Sequence, residues 1–178
     1  MRKISREDAP KELLELFYPI HYSVCLTVED SLRSSILTRQ QTVLLWFLRS
    51  KGIYGKKMSR KEIVKWMSYW FDTTGSAISK SLRSLSRPPL SLIKLTEDPH
   101  SGREKQIELT AKGEKFLLEM MENGRQICKI LTDGMTESEY NHGLHFLARC
   151  SEIFETEVEQ KRDLAESTIG RPSVSMKS

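Results

Sequence analysis

Apolar residues recur every three or four positions along the first part of the chain, the spacing of one face of an α-helix. The first run covers about residues 10–34 and contains Pro19, which should kink or interrupt the helix. Further helices are predicted where a capping box of the form Ser/Thr-x-x-Glu/Gln precedes an apolar stripe. Such boxes begin at Thr38, Ser59 and Thr136. A further helix, from Ser76 to about residue 86, follows the turn at residues 72–75 and is the recognition helix of the motif described below. Its apolar stripe, Ile78, Leu82 and Leu85, should face the core.

The apolar period changes from 3.6 to 2 after Pro88-Pro89. Residues 90–95 and 105–109 are predicted as two strands of a hairpin, separated by the polar loop 97–104. A long helix should follow from Thr110 to the Asp133-Gly134 pair, and its apolar stripe consists of Phe116, Leu117, Met120, Met121, Ile127 and Ile130. The last helix should turn Tyr140, Leu144, Leu147 and Phe154 inward. The expected order is four helices, a hairpin and two helices. The third and fourth helices form a helix-turn-helix motif, and the hairpin makes it winged.

The predicted fold class is therefore mainly α (α+β), a winged helix-turn-helix with long N- and C-terminal dimerisation helices. We divide the chain into four segments by the pattern described above. These are an N-terminal dimerisation helix at 1–36, a DNA-binding lobe at 37–110, C-terminal dimerisation helices at 111–165 and a disordered polar tail at 166–178.

Composition narrows the class of protein. Hydrophobic residues make up 38% of the 178 residues and charged residues 29%, enough apolar side chain for one folded core. No apolar run approaches the length of a membrane span, and the first residues lack the apolar core of a signal peptide, so a cytoplasmic protein without membrane contact is expected. The three cysteines form no CxxC pair, so neither a disulfide framework nor a zinc site of thiolates is expected, and no metal or cofactor is predicted.

Basic residues are concentrated in the middle of the chain. Residues 56–105 hold eleven Lys/Arg and five Asp/Glu, whereas the rest of the chain holds 17 basic and 19 acidic residues. A local excess of positive charge predicts an anion-binding face, and double-stranded DNA is the partner that we predict.

The sequence resembles the MarR family (multiple antibiotic resistance regulators). The resemblance is carried by residues 37–44 (Leu-Thr-Arg-Gln-Gln-Thr-Val-Leu), 59–64 (Ser-Arg-Lys-Glu-Ile-Val) and the wing at 98–103 (Asp-Pro-His-Ser-Gly-Arg), which leads into 107–113 (Ile-Glu-Leu-Thr-Ala-Lys-Gly). The chain departs from the usual wing at Ser101 and Gly102, and it retains Arg103. The resemblance implies a homodimeric transcriptional regulator, more often a repressor, that binds a near-palindromic operator.

The predicted DNA-contacting residues are small, hydroxylic or basic. No acid occurs from Thr73 to Arg87, as a surface that approaches phosphates requires. Arg103 is the candidate for the minor groove, and the alternative is that it pairs with Asp98 or Glu104. The full predicted set is Arg39, Lys56, Lys57, Arg60, Lys61, Thr73, Thr74, Ser76, Ser79, Lys80, Arg83, His100, Arg103 and Lys105.

The terminal helices carry more apolar surface than a winged helix needs for its own core, so a second copy should cover it. The predicted dimerisation residues are Leu13, Phe17, Ile20, Ile127, Ile130, Tyr140, Leu144, Leu147 and Phe154. The resemblance also implies a possible pocket for a small-molecule effector, for which the candidates are Tyr18, His21, Tyr22, Cys25 and Trp46. Aromatic residues at helical spacing are more often core than pocket.

Other kinds of site are less well supported. Cys25 raises the alternative of a redox sensor, but no nearby basic residue would stabilise its thiolate, so a buried structural cysteine is favoured. His142 and His145 are three residues apart, with at most Glu139 as a third metal ligand. No catalytic motif is found, so the chain is not predicted to be an enzyme. The alternative function is a winged-helix protein-interaction module without DNA binding.

Overall fold

The computed structural model of the chain describes residues 4–97 and 105–169, with side chains to residue 157. Within these residues seven α-helices accompany three short strands. The elements are α1 (Ala9–Ile20), a π-helical turn (His21–Cys25), α2 (Leu26–Arg33), α3 (Arg39–Lys51), β1 (Lys57–Ser59), α4 (Arg60–Trp70), α5 (Gly75–Ser86), β2 (Ile93–Glu97), β3 (Lys105–Leu109), α6 (Ala111–Asp133) and α7 (Glu137–Ile169).

The first predicted helix is interrupted near Pro19, as expected. The backbone changes from α1 to the π-helical turn directly after this proline and returns to α-helix in α2. Proline has no amide hydrogen to donate, which disturbs the regular hydrogen-bond ladder. The hydroxyl of Ser23 donates to the carbonyl of Pro19 over 2.6 Å.

The three predicted capping boxes are all present. Thr38 accepts a hydrogen bond from the amide of Gln41, whose side chain accepts from the amide of Thr38. Ser59 and Glu62 form the same reciprocal pair at the start of α4. Thr136 and Glu139 repeat it before α7. These local signals place the starts of the helices as the sequence predicts.

The sheet differs from the predicted two-stranded hairpin. It has three antiparallel strands in the order β1-β3-β2, and Ile107 of β3 pairs with Met58 on one side and with Leu95 on the other. Strand β1 was not predicted, because its three residues form a strand only by pairing with a distant part of the sequence. The first strand of the hairpin covers 93–97 rather than the predicted 90–95, and Ser91 before it has a positive φ of 50°.

One apolar core joins helices α3, α4 and α5 to the sheet and to the start of α6. Leu92 and Ile93 are both buried, which corrects the predicted alternation of faces. In α6, Leu117 and Met120 are buried as predicted, whereas Ile130 is 69% exposed. The winged helix-turn-helix is therefore confirmed, with α4 and α5 as its helices and β2 and β3 as its wing.

The chain divides into two compact units, Met1–Ile130 and Leu131–Ser178. Helix α7 belongs to the second unit, and its residues Leu144, Leu147 and Phe154 are exposed rather than facing inward in this single chain. Helix α7 continues through Ile169 and so includes residues 166–169, where the sequence pattern predicts the start of the tail. Residues 170–178 lie outside the described residues. No helix of the described part is long and apolar enough to cross a membrane.

Candidate nucleic-acid interface

Helix α5 is the predicted recognition helix, and its apolar side is fixed in the core. Ile78, Leu82 and Leu85 are buried there, as the stripe in the sequence predicts. Thr74 caps its N-terminus by accepting a hydrogen bond from the amide of Ala77 over 3.2 Å. The cap satisfies one of the amides that the first turn leaves without a helical partner.

The face of α5 opposite the core carries positive charge and no carboxylate. At 100° per residue, Ser76, Lys80 and Arg83 lie on the side away from Ile78, and all three are exposed. Arg87 follows the helix on the same side and is also exposed. This outward face combines one small hydroxyl with cations, which suits contact with phosphates and base edges.

One flank of α5 is hydrogen-bonded to the start of α3. The amide of Gln40 donates to Oγ1 of Thr73 over 2.9 Å, and its carbonyl oxygen accepts from the hydroxyl of Ser81 over 2.5 Å. The adjacent Gln41 donates to Oγ of Ser84 over 3.0 Å. The hydroxyls of Thr73, Ser81 and Ser84 therefore connect α3 to α5 and to the turn before it. Fewer hydroxyls than the sequence predicts are left on the outward face of α5.

The other flank of α5 faces the start of α4. Nη2 of Arg60 donates to Oγ of Ser79 over 2.9 Å, and this hydroxyl donates to the carbonyl of Gly75 over 2.8 Å. Nε of Arg83 donates to the carbonyl of Ser79 over 3.3 Å. A cleft of about 280 Å³ lies here, and Lys105 of β3 lines it together with Arg60 and Arg83. The structure thus brings three of the predicted DNA-contacting cations to one place.

Two other predicted cations are paired with carboxylates. Nε of Arg39 lies 2.9 Å from Oε1 of Glu29, and Cζ of its guanidinium lies 5.8 Å from the centroid of the Phe71 ring. Lys56 pairs with Glu114 over 2.8 Å in a separate cleft of about 270 Å³.

The remaining predicted contacts lie on the neighbouring elements or outside the described residues. Lys57 stands opposite Glu108 in the sheet, and Lys61 is exposed in the first turn of α4. His100 and Arg103 of the wing lie outside the described residues.

Gln40 and Gln41 were not among the predicted site residues. Their partners on α5 and in the turn before it are 33 to 43 positions away in the sequence, so no local pattern reveals these bonds. One feature of the sequence could have identified them. Two adjacent glutamine side chains lie in the first turn of α3, the helix that begins the predicted DNA-binding lobe. An amide offers a donor and an acceptor at once, which suits it to link two hydroxyls.

The predicted effector residues lie mainly on the first helical segment. Tyr18 and Tyr22 are exposed, with 4.9 Å between their ring centroids, and His21 meets Tyr22 edge-on at the same distance. Cys25 is exposed as well, so the prediction of a buried structural cysteine is wrong: the π-helical turn that carries it contributes no residue to the core. Trp46 of α3 packs against the core.

The residues considered for a metal are on α7. The ring of His142 lies 3.3 Å from the hydroxyl of Ser138. No group of three or more metal-ligating side chains occurs among the residues that the structure describes.

Comparison with known proteins agrees with this geometry. Residues 37–113 match a family model described as a winged helix DNA-binding domain. No curated protein matches the sequence significantly.

Solved structures share the fold over most of the chain. MepR of Staphylococcus aureus, a transcription regulator of the multidrug efflux pump MepA, is 21% identical with a TM-score of 0.60, over 84% of this chain and 98% of its own. BpsR of Bordetella bronchiseptica, whose DNA binding is regulated by 6-hydroxynicotinic acid, is 21% identical with a TM-score of 0.56. The match covers 84% of this chain and 98% of BpsR. A cysteine-to-serine variant of MarR from E. coli in complex with operator DNA is 16% identical with a TM-score of 0.58. The match covers 82% of this chain and 98% of that MarR variant. Residues 37–113 therefore match a winged helix DNA-binding domain, and the chain shares the fold of the solved structures of MepR, BpsR and MarR.

Proposed function

We propose that this protein is a sequence-specific, double-stranded-DNA-binding transcriptional regulator of MarR type. The observation that carries the proposal is the outward face of α5, where Ser76, Lys80 and Arg83 stand exposed without a carboxylate between them. This face belongs to the segment that matches a winged helix DNA-binding domain. A helix with such a face fits a major groove about 12 Å wide.

Each cation on this surface has a distinct role in the proposed complex. Lys80 and Arg83 project from α5 into the major groove, where an arginine recognises guanine with two hydrogen bonds. Arg60 and Lys61, in the first turn of α4, approach the phosphate backbone, where the positive end of the helix dipole adds to their charge. Lys105 places positive charge at the base of the wing, and Arg103 reaches into the minor groove.

The proposed active form is a homodimer, supported by apolar surface that the single chain leaves uncovered. Phe17 and Ile20 of α1, Ile130 of α6, and Leu144 and Leu147 of α7 are all at least 45% exposed. Together with Leu13, Ile127, Tyr140 and Phe154 they form the predicted dimerisation set. Twofold symmetry would present two α5 helices about 34–36 Å apart to a near-palindromic operator.

We further propose that the protein acts as a cytoplasmic repressor that blocks its promoter while bound, without catalysing a reaction itself. The BpsR comparison supports control by a small molecule, since 6-hydroxynicotinic acid regulates DNA binding by that protein. In this chain Tyr18, His21, Tyr22, Cys25 and Trp46 are the candidate effector contacts.

A gel-shift experiment with fragments of the source genome tests DNA binding. We expect retardation that weakens steeply with salt, because each phosphate contact contributes about 0.9 to the slope of log affinity against log salt. The double variant Lys80→Ala/Arg83→Ala should lose most affinity for the retarded fragments, because it removes the proposed base contacts. The variant Lys115→Ala, which removes an exposed cation of α6 that ion-pairs with Glu119, is the matched control. Absence of salt-sensitive retardation by the unaltered protein would instead support a protein-interaction module.

A further inference from the structure

The recognition helix is held by hydrogen bonds on both of its flanks. Gln40 bonds Thr73 and Ser81 from the side of α3, while Arg60 bonds Ser79 from the side of α4. Since the apolar stripe faces the core, the helix is constrained on three sides. Its rotation about its own axis is therefore determined by these contacts.

Rotation matters because it decides where the outward side chains meet the bases. Side-chain tips at the helix surface lie about 5–6 Å from the axis, so a rotation of about 20° moves them by about 2 Å. A hydrogen bond between a side chain and a base edge tolerates only a few tenths of an ångström. A small rotation of α5 would thus replace the contacts of Lys80 and Arg83 with others.

Gln40 is chemically suited to fix this rotation. Its amide nitrogen has only donors and its carbonyl oxygen only acceptors; the first meets Thr73 in the turn before α5, and the second meets Ser81 in the second turn of the helix. The two bonds hold both the entry to α5 and one side of the helix against α3. Gln41 adds a third bond at Ser84, and its own oxygen is fixed by the capping box with Thr38.

We propose that Gln40, supported by Gln41, is a positioning residue that determines the sequence preference of the protein without touching DNA. The inference rests on the proposed function, since it concerns how the recognition helix selects a site. Loss of the Gln40 bonds changes which bases the helix selects, while the phosphate contacts and hence the salt dependence stay in place.

In vitro selection of duplexes from a randomised library tests the proposal. The full-length protein, the variant Gln40→Leu and the variant Thr73→Val/Ser81→Ala are each used to enrich sites. Leucine has nearly the volume of glutamine and makes no hydrogen bond, and the double variant removes the same bonds from the α5 side. The control Ser68→Ala removes an exposed hydroxyl of α4 that bonds only to the carbonyl of Lys65.

We expect Gln40→Leu and Thr73→Val/Ser81→Ala to enrich the same altered or relaxed consensus. Their discrimination between the wild-type consensus and a single-base mismatch should fall about tenfold, the size of one lost base contact. The salt slope should stay close to wild type, while the thermal midpoint should fall by a few degrees, because two part-buried hydrogen bonds are lost. Gln40→Glu should retain the consensus, because a carboxylate accepts from both hydroxyls, although its added negative charge lowers overall affinity.

Retention of the wild-type consensus and discrimination by Gln40→Leu would overturn the inference while leaving the proposed function intact. A wild-type protein that binds duplexes without enriching any consensus would overturn the inference and the proposed sequence specificity together. A wild-type protein that binds no duplex would overturn the proposed function as a whole.

Discussion

Gly113 lies against the main chain of Leu92. A Cβ atom at position 113 would overlap the carbonyl oxygen of Leu92 and lie 2.8 Å from its carbonyl carbon. Thr110 holds the same two segments together, since its amide donates to the carbonyl of Leu92 over 3.0 Å and its hydroxyl donates to the carbonyl of Ser91 over 2.8 Å. The Thr110-Ala-Lys-Gly113 sequence thus joins the first turn of α6 to the entrance of the wing by direct backbone contact.

Replacement of this glycine should be costly. Gly113→Ala places a methyl group where main-chain atoms stand, so α6 and the segment before β2 must separate. We expect the free energy of unfolding to fall by about 2–3 kcal/mol, the upper range for overpacking a close contact. Urea denaturation measures this change.

Gly143 of α7 provides the matched control, because a Cβ there meets nothing within 4 Å. Gly143→Ala should raise the free energy of unfolding by about 0.5–1 kcal/mol, since alanine restricts the unfolded chain more than glycine does. Equal effects of the two substitutions would show that the Leu92 contact has no energetic role.

The cap of the recognition helix should contribute measurably to stability. Thr74→Ala leaves the amide of Ala77 without its side-chain acceptor, and we expect a loss of about 1 kcal/mol in the free energy of unfolding. Chemical denaturation followed by circular dichroism gives the value. Ser68→Ala removes an exposed hydroxyl elsewhere in the lobe and should change stability by less than about 0.5 kcal/mol. A Thr74→Ala protein as stable as Ser68→Ala would contradict the role of the cap.

The proposed dimer should depend on the apolar face of α7. Leu144→Asp/Leu147→Asp introduces two carboxylates into the proposed interface, where burial of an unpaired charge is strongly unfavourable. We expect the dimer dissociation constant to rise at least about 100-fold, as measured by analytical ultracentrifugation over a range of concentrations. Ile53→Asp changes an equally exposed apolar residue outside the predicted dimerisation set and should leave the association unchanged. A wild-type protein that sediments as a monomer would contradict the proposed assembly.

Acid should weaken the ion pair between Glu122 and Arg125 on α6. The Arg125 guanidinium makes two hydrogen bonds of 2.7 Å to the Glu122 carboxylate, and it is the main reason that the pKa of Glu122 falls from 4.5 to about 2. A lowered pKa in the folded state means that the unfolded chain binds more protons in this range. The pair therefore stabilises the fold above pH 4.5, and this contribution disappears as the pH falls toward 2.

Thermal midpoints between pH 6 and pH 2 test this expectation. Over this range the wild type should lose more stability than Glu122→Gln, whose side chain does not ionise. Arg125→Ala should return the pKa of Glu122 toward its usual value, which NMR titration of the carboxyl group reports directly. Parallel pH profiles for wild type and Glu122→Gln would exclude a contribution from the pair.

Local signals in the sequence were enough to predict most helices and the outward face of α5. The capping boxes at Thr38, Ser59 and Thr136 join residues three positions apart, so each could be recognised from a short segment. The stripe of Ile78, Leu82 and Leu85 likewise defines a buried side within one helix. The absence of acids from Thr73 to Arg87 identified the candidate DNA-binding surface by charge alone.

Tertiary structure alone decided which polar residues in and before α5 face outward. Strand β1 exists only because β3 supplies its hydrogen-bond partners, and Gln40 bonds to hydroxyls 33 and 41 positions away. Such contacts form when distant segments pack together, and the residues involved carry no local pattern that distinguishes them from solvated ones. Thr73 and Ser81 look the same in the sequence as Ser76, yet they hold the recognition helix in place while Ser76 stands exposed. The sequence thus determined the helices and the charge of the surface, and the packing of α3 against α5 decided which side chains stay exposed on the proposed DNA-binding face.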